Sequence, residues 1–473
     1  MKITRREALL AAGGAAFLTG CGPLSNRTRA ASQQPATLPR VGDDPYVSAV
    51  NRFGFGPTPG QVDQMREHTL EQWFESQLLP DESEPQELNW MLGRMEINYL
   101  GPYDLRDWRE EAIVMQMQQA AILRAVYSPW QLRERMVDFW TNHLNIYAKK
   151  GLAVYRKPMD EREVVRKHAL GNFRDMIHAS SKSTAMLVYL DQQASTKAHP
   201  NENYARELLE LHTLGVNGGY TQLDVMEAAR CFTGWSEERR FMRPRGAFRF
   251  IEGIHDKKEK TFLGEKIPAG GGVEDGERVV NLALDHPATG RYLATKLCRY
   301  FLGHTDSSSV EAVATAYRDK QGDIPSMMRV VFAEYQKRNE PVVKRPLDYV
   351  ASSMRAVQAS SDAGQEVLKR MEQMGQPLYL WPMPDGYPLE TDSWTGSLLA
   401  RWNFAHDLAH RSVKGSLVDI KKLTKETGAS AIPSIVFGQS DGELINHFAS
   451  VTAGLEPRMA ASACLASPEF QWR

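Results

Sequence analysis

Residues 108–127, WREEAIVMQMQQAAILRAVY, decide the fold class. Ile113, Met117, Ala120, Ala121 and Arg124 recur along one stripe at helical spacing, which predicts a single long helix. That helix stops before Ser128-Pro129, and Pro129 opens a second helix running to about Tyr147. Outward from this pair, helical signals recur at 160–178, 202–214, 222–232, 276–285, 287–302, 309–319, 325–337, 344–359 and 395–411. Two stretches break the pattern. Between Arg239 and Ile251, Phe241, Phe248 and Phe250 surround Pro244-Arg245-Gly246, which predicts a hairpin with a tight turn. Gly375, Pro377, Pro382, Pro384, Gly386 and Pro388 punctuate 375–392 densely enough to make it a loop. No internal repeat is present. The expected fold is mainly α: one large multi-helix domain over 45–473, with a small β-hairpin insertion near 239–252.

The N-terminus carries an address. Met1-Lys2-Ile3-Thr4-Arg5-Arg6 is a short basic start, followed by an apolar run from Ala8 to Phe17 and then Leu18-Thr19-Gly20-Cys21. This is the three-part layout of an export signal. The run is too short to span a bilayer, which takes about 20 apolar residues. The Arg5-Arg6 pair just before it fits a twin-arginine signal. Leu18-Thr19-Gly20-Cys21 resembles the bacterial lipobox, in which the cysteine is lipidated and becomes the first mature residue. Residues 1–20 are therefore expected to be the export signal. Residues 21–44, rich in Ser, Thr, Ala, Pro and Gln, are expected to be a flexible tether lipidated at Cys21. The expected location is the bacterial cell envelope, lipid-anchored, facing the periplasm or on the outer membrane; Gly22 rather than Asp after the anchor favours the outer membrane.

The 473 residues can build a large core, and 57 basic against 58 acidic side chains give a net charge of −1, so no global field selects nucleic acid. Beyond the signal no long apolar run predicts a further membrane span. Apart from Cys21 there are three cysteines, Cys231, Cys298 and Cys464, an odd number without disulfide or zinc spacing. Each lies among apolar residues on an expected helix, as buried core cysteine does.

The densest polar cluster is 199–215, HPNENYARELLELHTLG. Asn201 is a plausible N-cap and Gly215 a plausible stop. At helical phase Asn203, Arg206, Glu207 and Glu210 share one stripe, while Ala205, Leu208, Leu209 and His212 form the core face. Read alone, the polar stripe is a solvated face with an Arg206–Glu210 pair. Glu210 and His212 point apart, so a metal here would need ligands from other helices, unlike H-E-x-x-H. His143 shares a stripe with Met136, Phe139 and Trp140 and should face the interior; with His212 it makes two core-facing imidazoles on separate helices. Thr221 and Asp224 read as a capping arrangement, and Arg230 and Trp235 as closing that helix. His255-Asp256, the arginines of the hairpin, and the His406/His410 pair with Asp407 are weaker signals. There is no G-x-S-x-G elbow, P-loop or dinucleotide-binding turn.

Several strings together resemble one bacterial family, the domain-of-unknown-function family numbered 1800. They are Asn51-Arg52-Phe53-Gly54-Phe55-Gly56-Pro57-Thr58, Phe139-Trp140 with Asn142-His143, Tyr189-Leu190-Asp191, Pro200-Asn201-Glu202-Asn203-Tyr204-Ala205-Arg206-Glu207, Asp224-Val225 through Gly234-Trp235, His255-Asp256, His286-Pro287 and Ala466-Ser467-Pro468-Glu469-Phe470. The resemblance covers about Pro45 to Arg473. It implies an exported, mostly helical protein whose gene often lies beside one for another exported family, numbered 1501, related to the alkaline phosphatase and sulfatase superfamily. It implies no particular reaction.

Two functions follow as expectations. One is an envelope enzyme, metal-assisted or not, of hydrolase type. Glu207 or Glu210 would be general acid or base, Arg206 and Asn203 would orient the substrate, and Asp191 and His143 would complete the site. These oxygens would suit calcium or magnesium, though the sequence names no metal. The other is a non-catalytic lipoprotein that scaffolds or escorts an exported partner of the family numbered 1501.

Overall fold

The long helix forms at Glu110–Tyr127, where Glu110 and Glu111 lie in the first turn and complement the helix dipole. It ends because Ser128 precedes Pro129 and is held extended, at φ −65° and ψ 135°. The computed structural model describes residues 44–79, 83–240 and 246–473. The expected export signal, Cys21 and the expected tether before Asp44 lie outside the described residues. Among the described residues no helix is long and apolar enough to cross a membrane.

The next helix is shorter than its sequence suggests. It spans Gln131–His143, so Pro129 precedes it instead of opening it, and it ends four residues before Tyr147. Its end is fixed from outside: Asn142 and Asn145 turn their amides onto the backbone of 381–387. The expected 160–178 helix is also divided. A π turn occupies Glu161–Arg166, and a new helix starts at Phe173–Lys182, capped by Asn172, whose side chain accepts from Arg174 N at 2.8 Å. Gln222–Phe232 and Pro287–Leu302 form with the expected bounds. The 344–359 signal becomes Pro346–Ala356, and 395–411 becomes a 3₁₀ turn, Thr391–Ser397, followed by Leu398–Ala409. Helices at Pro45–Phe53, Leu70–Leu78, Gln86–Gly93, Gln365–Gln373, Glu443–Thr452 and Pro457–Ala466 complete a mainly α fold.

The hairpin starts earlier than its phenylalanines indicate. Trp235–Glu237 pairs antiparallel with Phe248–Phe250, Trp235 opposite Phe250 and Glu237 opposite Phe248. Trp235 therefore belongs to a strand, after the helix has ended at Phe232. Phe241, Arg243, Pro244 and Arg245 lie outside the described residues. A second hairpin pairs Lys260–Phe262 with Glu265–Ile267, and Ser360–Ser361 pairs with Ser416–Leu417.

The helices bury two hydrophobic clusters. One gathers Phe53, Phe74, Trp140, Phe173, Leu209, Phe232 and Phe301. The other gathers Phe55, Ile113, Met117, Val350, Phe404, Cys464 and Phe470. Cys231, Cys298 and Cys464 are free and buried. Between the clusters lies an ion network. The carboxylate of Asp348, at the start of Pro346–Ala356, receives Arg135 from the Gln131–His143 helix and Arg473 at 3.2 Å. Arg345 joins Asp348 to Asp138, which also accepts from the Tyr300 hydroxyl at 2.7 Å. Burial alone would raise the Asp348 carboxyl, but Arg135, then Arg473 and Arg345, hold it well below the usual carboxylate range.

Candidate functional site

Asn201 begins the polar stripe. Its side chain accepts from Tyr204 N and donates to Leu190 O at 2.7 Å, which fixes the start of the Glu202–Glu207 helix. Ala205, Leu208, Leu209 and His212 are buried, and Arg206, Glu207 and Glu210 lie half-buried at the edge. Asn203 is exposed. After Glu207 the helix widens into a π turn, Leu208–His212, whose i→i+5 geometry re-phases Glu210 and His212 relative to the residues before it. Gly215 ends the element at φ +82°, donating to Leu209 O; a Cβ there would lie 2.7 Å from the Tyr292 ring. No side-chain-bearing residue fits that contact.

Arg206 stands 3.5 Å from Glu210 and 3.8 Å from Glu202, and donates to Gln222 at 2.7 Å. The expected Arg206–Glu210 pair is present, and at this exposure it contributes little stability. The Tyr220 hydroxyl lies near Glu210, and its pKa is pushed up to about 12 by burial and then by Glu210. Glu207 behaves differently. Burial first, then Glu210, raises its carboxyl above the usual value; Arg206 opposes and Asp385 adds to the rise. The neighbouring Tyr189 hydroxyl, raised by burial and then by Glu207 and Asp385, donates to Pro382 O at 3.0 Å.

His143 and His212 do meet. Both are buried, their ring centroids 6.3 Å apart, and His143 Nε2 donates to His212 O at 3.1 Å. Burial, then the Lys296 cation, lowers both imidazoles, His212 to about 3, so both are neutral at pH 7. His143 Nδ1 and His212 Nε2 have no partner among the described residues. Lys296 lies over the Tyr292 ring, its ammonium lowered to about 8 by burial while Asp385 acts in the opposite direction. A chain of charge interactions thus runs Glu210–Glu207–Asp385–Lys296–His143. Asp191 lies apart from the imidazoles: its side chain is 64% exposed and is reached by Lys150 at 2.8 Å, which also donates to Tyr189 O.

Asp385, Lys296, Tyr189 and Tyr220 were not candidate site residues on sequence grounds. The one sequence sign of Asp385 is its Pro- and Gly-rich setting, since ordered loops commonly carry function. Here the loop is ordered by two asparagines. Asn142 donates to Tyr387 O and accepts from Tyr387 N, at 2.9 and 2.7 Å. Asn145 donates to Trp381 O and Met383 O, at 3.1 and 2.6 Å.

The remaining motifs resolve into structure. His255 is buried, Nδ1 donating to Thr233 O at 2.7 Å and Nε2 facing Asp275 at 3.2 Å, beside Lys260. Arg230 pairs with Glu227 and Asp256. Thr221 and Asp224 form the capping box, and His286 caps the Pro287 helix. Arg239, Arg240 and Arg249 pair with Glu237 and Glu238, so these arginines are not a bare cationic strip. His406 and His410 stack at the surface, and Asp407 pairs with Arg370. Among the described residues no group of three or more His, Cys, Asp and Glu is placed to hold a metal ion.

A family model described as "Protein of unknown function (DUF1800)" matches residues 48–472. No curated protein and no solved structure matches the chain.

Proposed function

The chain belongs to the DUF1800 family over nearly its whole described length, and from that premise we propose that it is an exported envelope enzyme using Glu207 and Glu210 as an acid–base pair in hydrolysis. The observation that carries this reading is the unequal setting of two neighbouring carboxyls. Glu207 holds its proton above the usual glutamate range through burial and the charge of Glu210, while Glu210 is engaged by Arg206 and Tyr220. Hydrolysis needs one group to give a proton to the leaving oxygen and another to take one from the attacking water. Glu207 fits the donor, and Glu210 fits the acceptor. Arg206, half-buried, and Asn203, exposed, would orient substrate hydroxyls. His143 is a positioning residue in this scheme. It is neutral and ties its ring to the carbonyl of His212, which ends the π turn carrying Glu210.

Carbon-detected NMR of the Glu207 carboxyl tests the reading directly. The titration midpoint should lie above the ordinary glutamate value, about 4.3, and should fall in Glu210→Gln. An ordinary midpoint that ignores Glu210→Gln would sink the assignment. On a panel of cell-surface polysaccharides and esters, Glu207→Gln should lose about 100-fold or more of any hydrolysis. The envelope address rests on Arg5-Arg6 and on the Cys21 motif; Cys21→Ser should move the protein from the membrane fraction to the soluble periplasm.

A second reading keeps the chain as an escort for an exported partner of the family numbered 1501. It draws on Trp90 and Tyr99, large aromatic side chains left 64% and 59% exposed on neighbouring elements. Co-expression with that partner should yield a complex that weakens in Trp90→Ala and Tyr99→Ala, and failure to co-purify would end this version.

A further inference from the structure

The helix Leu398–Ala409 ends in His406-Asp407-Leu408-Ala409-His410, two imidazoles one turn apart. Leu408 and Ala409 are buried and hold this turn against the core, which leaves the His406 side chain 53% exposed and His410 half-buried. Spacing of i, i+4 brings both side chains to one edge of the helix. The rings stack there, with centroids 4.2 Å apart and planes 17° from parallel.

Hydrogen bonding decides which nitrogen each ring offers. His410 Nδ1 lies 2.9 Å from His406 O, and a carbonyl only accepts, so Nδ1 carries the proton. His406 Nδ1 faces Asp407 Oδ1 at 3.5 Å. The other oxygen of Asp407 accepts from Arg370 at 2.5 Å, so Asp407 is an accepting carboxylate that draws the proton to Nδ1 of His406 as well. In the neutral form of both rings Nε2 therefore keeps its lone pair, and neither Nε2 has a hydrogen-bond partner among the described residues. The arginines beside the pair are occupied. Arg370 is held by Asp407, and Arg411, next in the chain, by Val418 O at 2.6 Å and Asp419 at 3.7 Å. An imidazole prepared to ligate a metal has this arrangement, one nitrogen held by a carbonyl or carboxylate and the other left bare.

We propose that His406 and His410 chelate a first-row divalent cation of the zinc–copper class through their Nε2 atoms, with water completing the coordination. Imidazole suits these ions, whereas magnesium and calcium prefer oxygen. Metal–nitrogen bonds of about 2.0–2.1 Å set two nitrogens about 3.3 Å apart in a tetrahedral site, and a slight inward tilt of rings stacked at 4.2 Å reaches that spacing. Two protein ligands are fewer than a structural zinc site uses, so coordination positions stay open. The site shares no residue with the Glu207–Glu210 pair and does not depend on the reaction assigned there.

Calorimetric titration of the full-length protein, freed of metal with a chelator and dialysed, should show one saturable site for zinc chloride. His406→Gln and His410→Gln should each weaken it about tenfold or more, since loss of even a supporting partner of a metal ligand costs about 10–100-fold. His68→Gln, at an exposed histidine on another element, should leave it unchanged. Electron paramagnetic resonance of the copper(II)-loaded parent should show two imidazole nitrogens on the metal, a readout that needs no variant to fold. The proposal is overturned by no saturable zinc binding, or by a single bound nitrogen in the parent. It is equally overturned if either His406→Gln or His410→Gln binds as tightly as the parent, which would leave an adventitious ion only on a lone surface histidine.

Discussion

Glu207 shows how one side chain can be both a candidate acid and a liability. Its carboxyl is raised above the usual value, first by burial and then by Glu210. At low pH the folded and unfolded chains both hold the proton. As pH rises past the unfolded value, the unfolded chain releases it while the folded chain keeps it, so stability declines until pH passes the folded value. Glutamine imitates the protonated form at every pH. Glu207→Gln should therefore melt at a higher temperature than the parent at pH 8 and at the same temperature near pH 4. A variant that is less stable at pH 8 would show that Glu207 is ionised and paired in the folded protein. At this scale half of the site was legible. Helical phase alone put Arg206, Glu207 and Glu210 on one edge and His212 on the core face. Asp385 and Lys296 were not legible, because they reach the stripe from a distant loop and a distant helix, and no local period records such an approach.

At the scale of elements, the loop at 375–392 is the piece whose order matters most, because it brings Asp385 to Glu207 and Lys296. Its anchor is a two-way clamp between Asn142 and the backbone of Tyr387. Gly386 makes that approach possible: it sits at φ +78°, and a Cβ would fall 2.2 Å from Asn142 O. Gly386→Ala should cost about 1–3 kcal/mol in chemical unfolding, the usual range for forcing atoms into a packed site. It should also raise hydrogen exchange at the Tyr387 amide. An alanine variant with parental stability and unchanged exchange would mean that the clamp does not hold the loop. The sequence marked this segment as a loop from its prolines and glycines but gave no sign of its order, since the asparagines that hold it, Asn142 in the last turn of the Gln131–His143 helix and Asn145 just beyond it, are distant in the chain. Elsewhere the same contrast holds. Pro287–Leu302 was legible to its ends because a proline starts it and a glycine follows it. The 160–178 signal was misread because apolar spacing continues through Gly171 while the Asn172 side chain starts a new helix.

On the scale of the whole molecule, the two hydrophobic clusters are joined through charge as well as by packing. Arg135 and Asp138 project from a helix of one cluster, and Asp348 from a helix of the other. Five cationic side chains, Arg135, Lys344, Arg345, Arg401 and Arg473, act on Asp348, and burial lowers the Lys344 ammonium to about 7. Strings such as Asn51-Arg52-Phe53 and Lys344-Arg345-Pro346 carry charge, which is ordinarily left in solvent. They are buried here because each arginine finds a carbonyl or carboxylate contributed by the other cluster or by the final residues. Removing the shared anion should expose this dependence. Asp348→Asn leaves Arg135, Arg345 and Arg473 facing a neutral amide, and breaking a buried pair in this way costs about 3–5 kcal/mol. The pH dependence has a definite sign. Asp348 is held far below its unfolded value of 3.8, so its contribution is complete above that value and is lost as pH falls. Urea unfolding should thus show a large deficit for Asp348→Asn at pH 7 that narrows at pH 3, where the parent is losing the same interaction. A deficit equally large at both pH values would mean that the aspartate acts by shape and hydrogen bonding, with its charge contributing nothing to joining the two clusters.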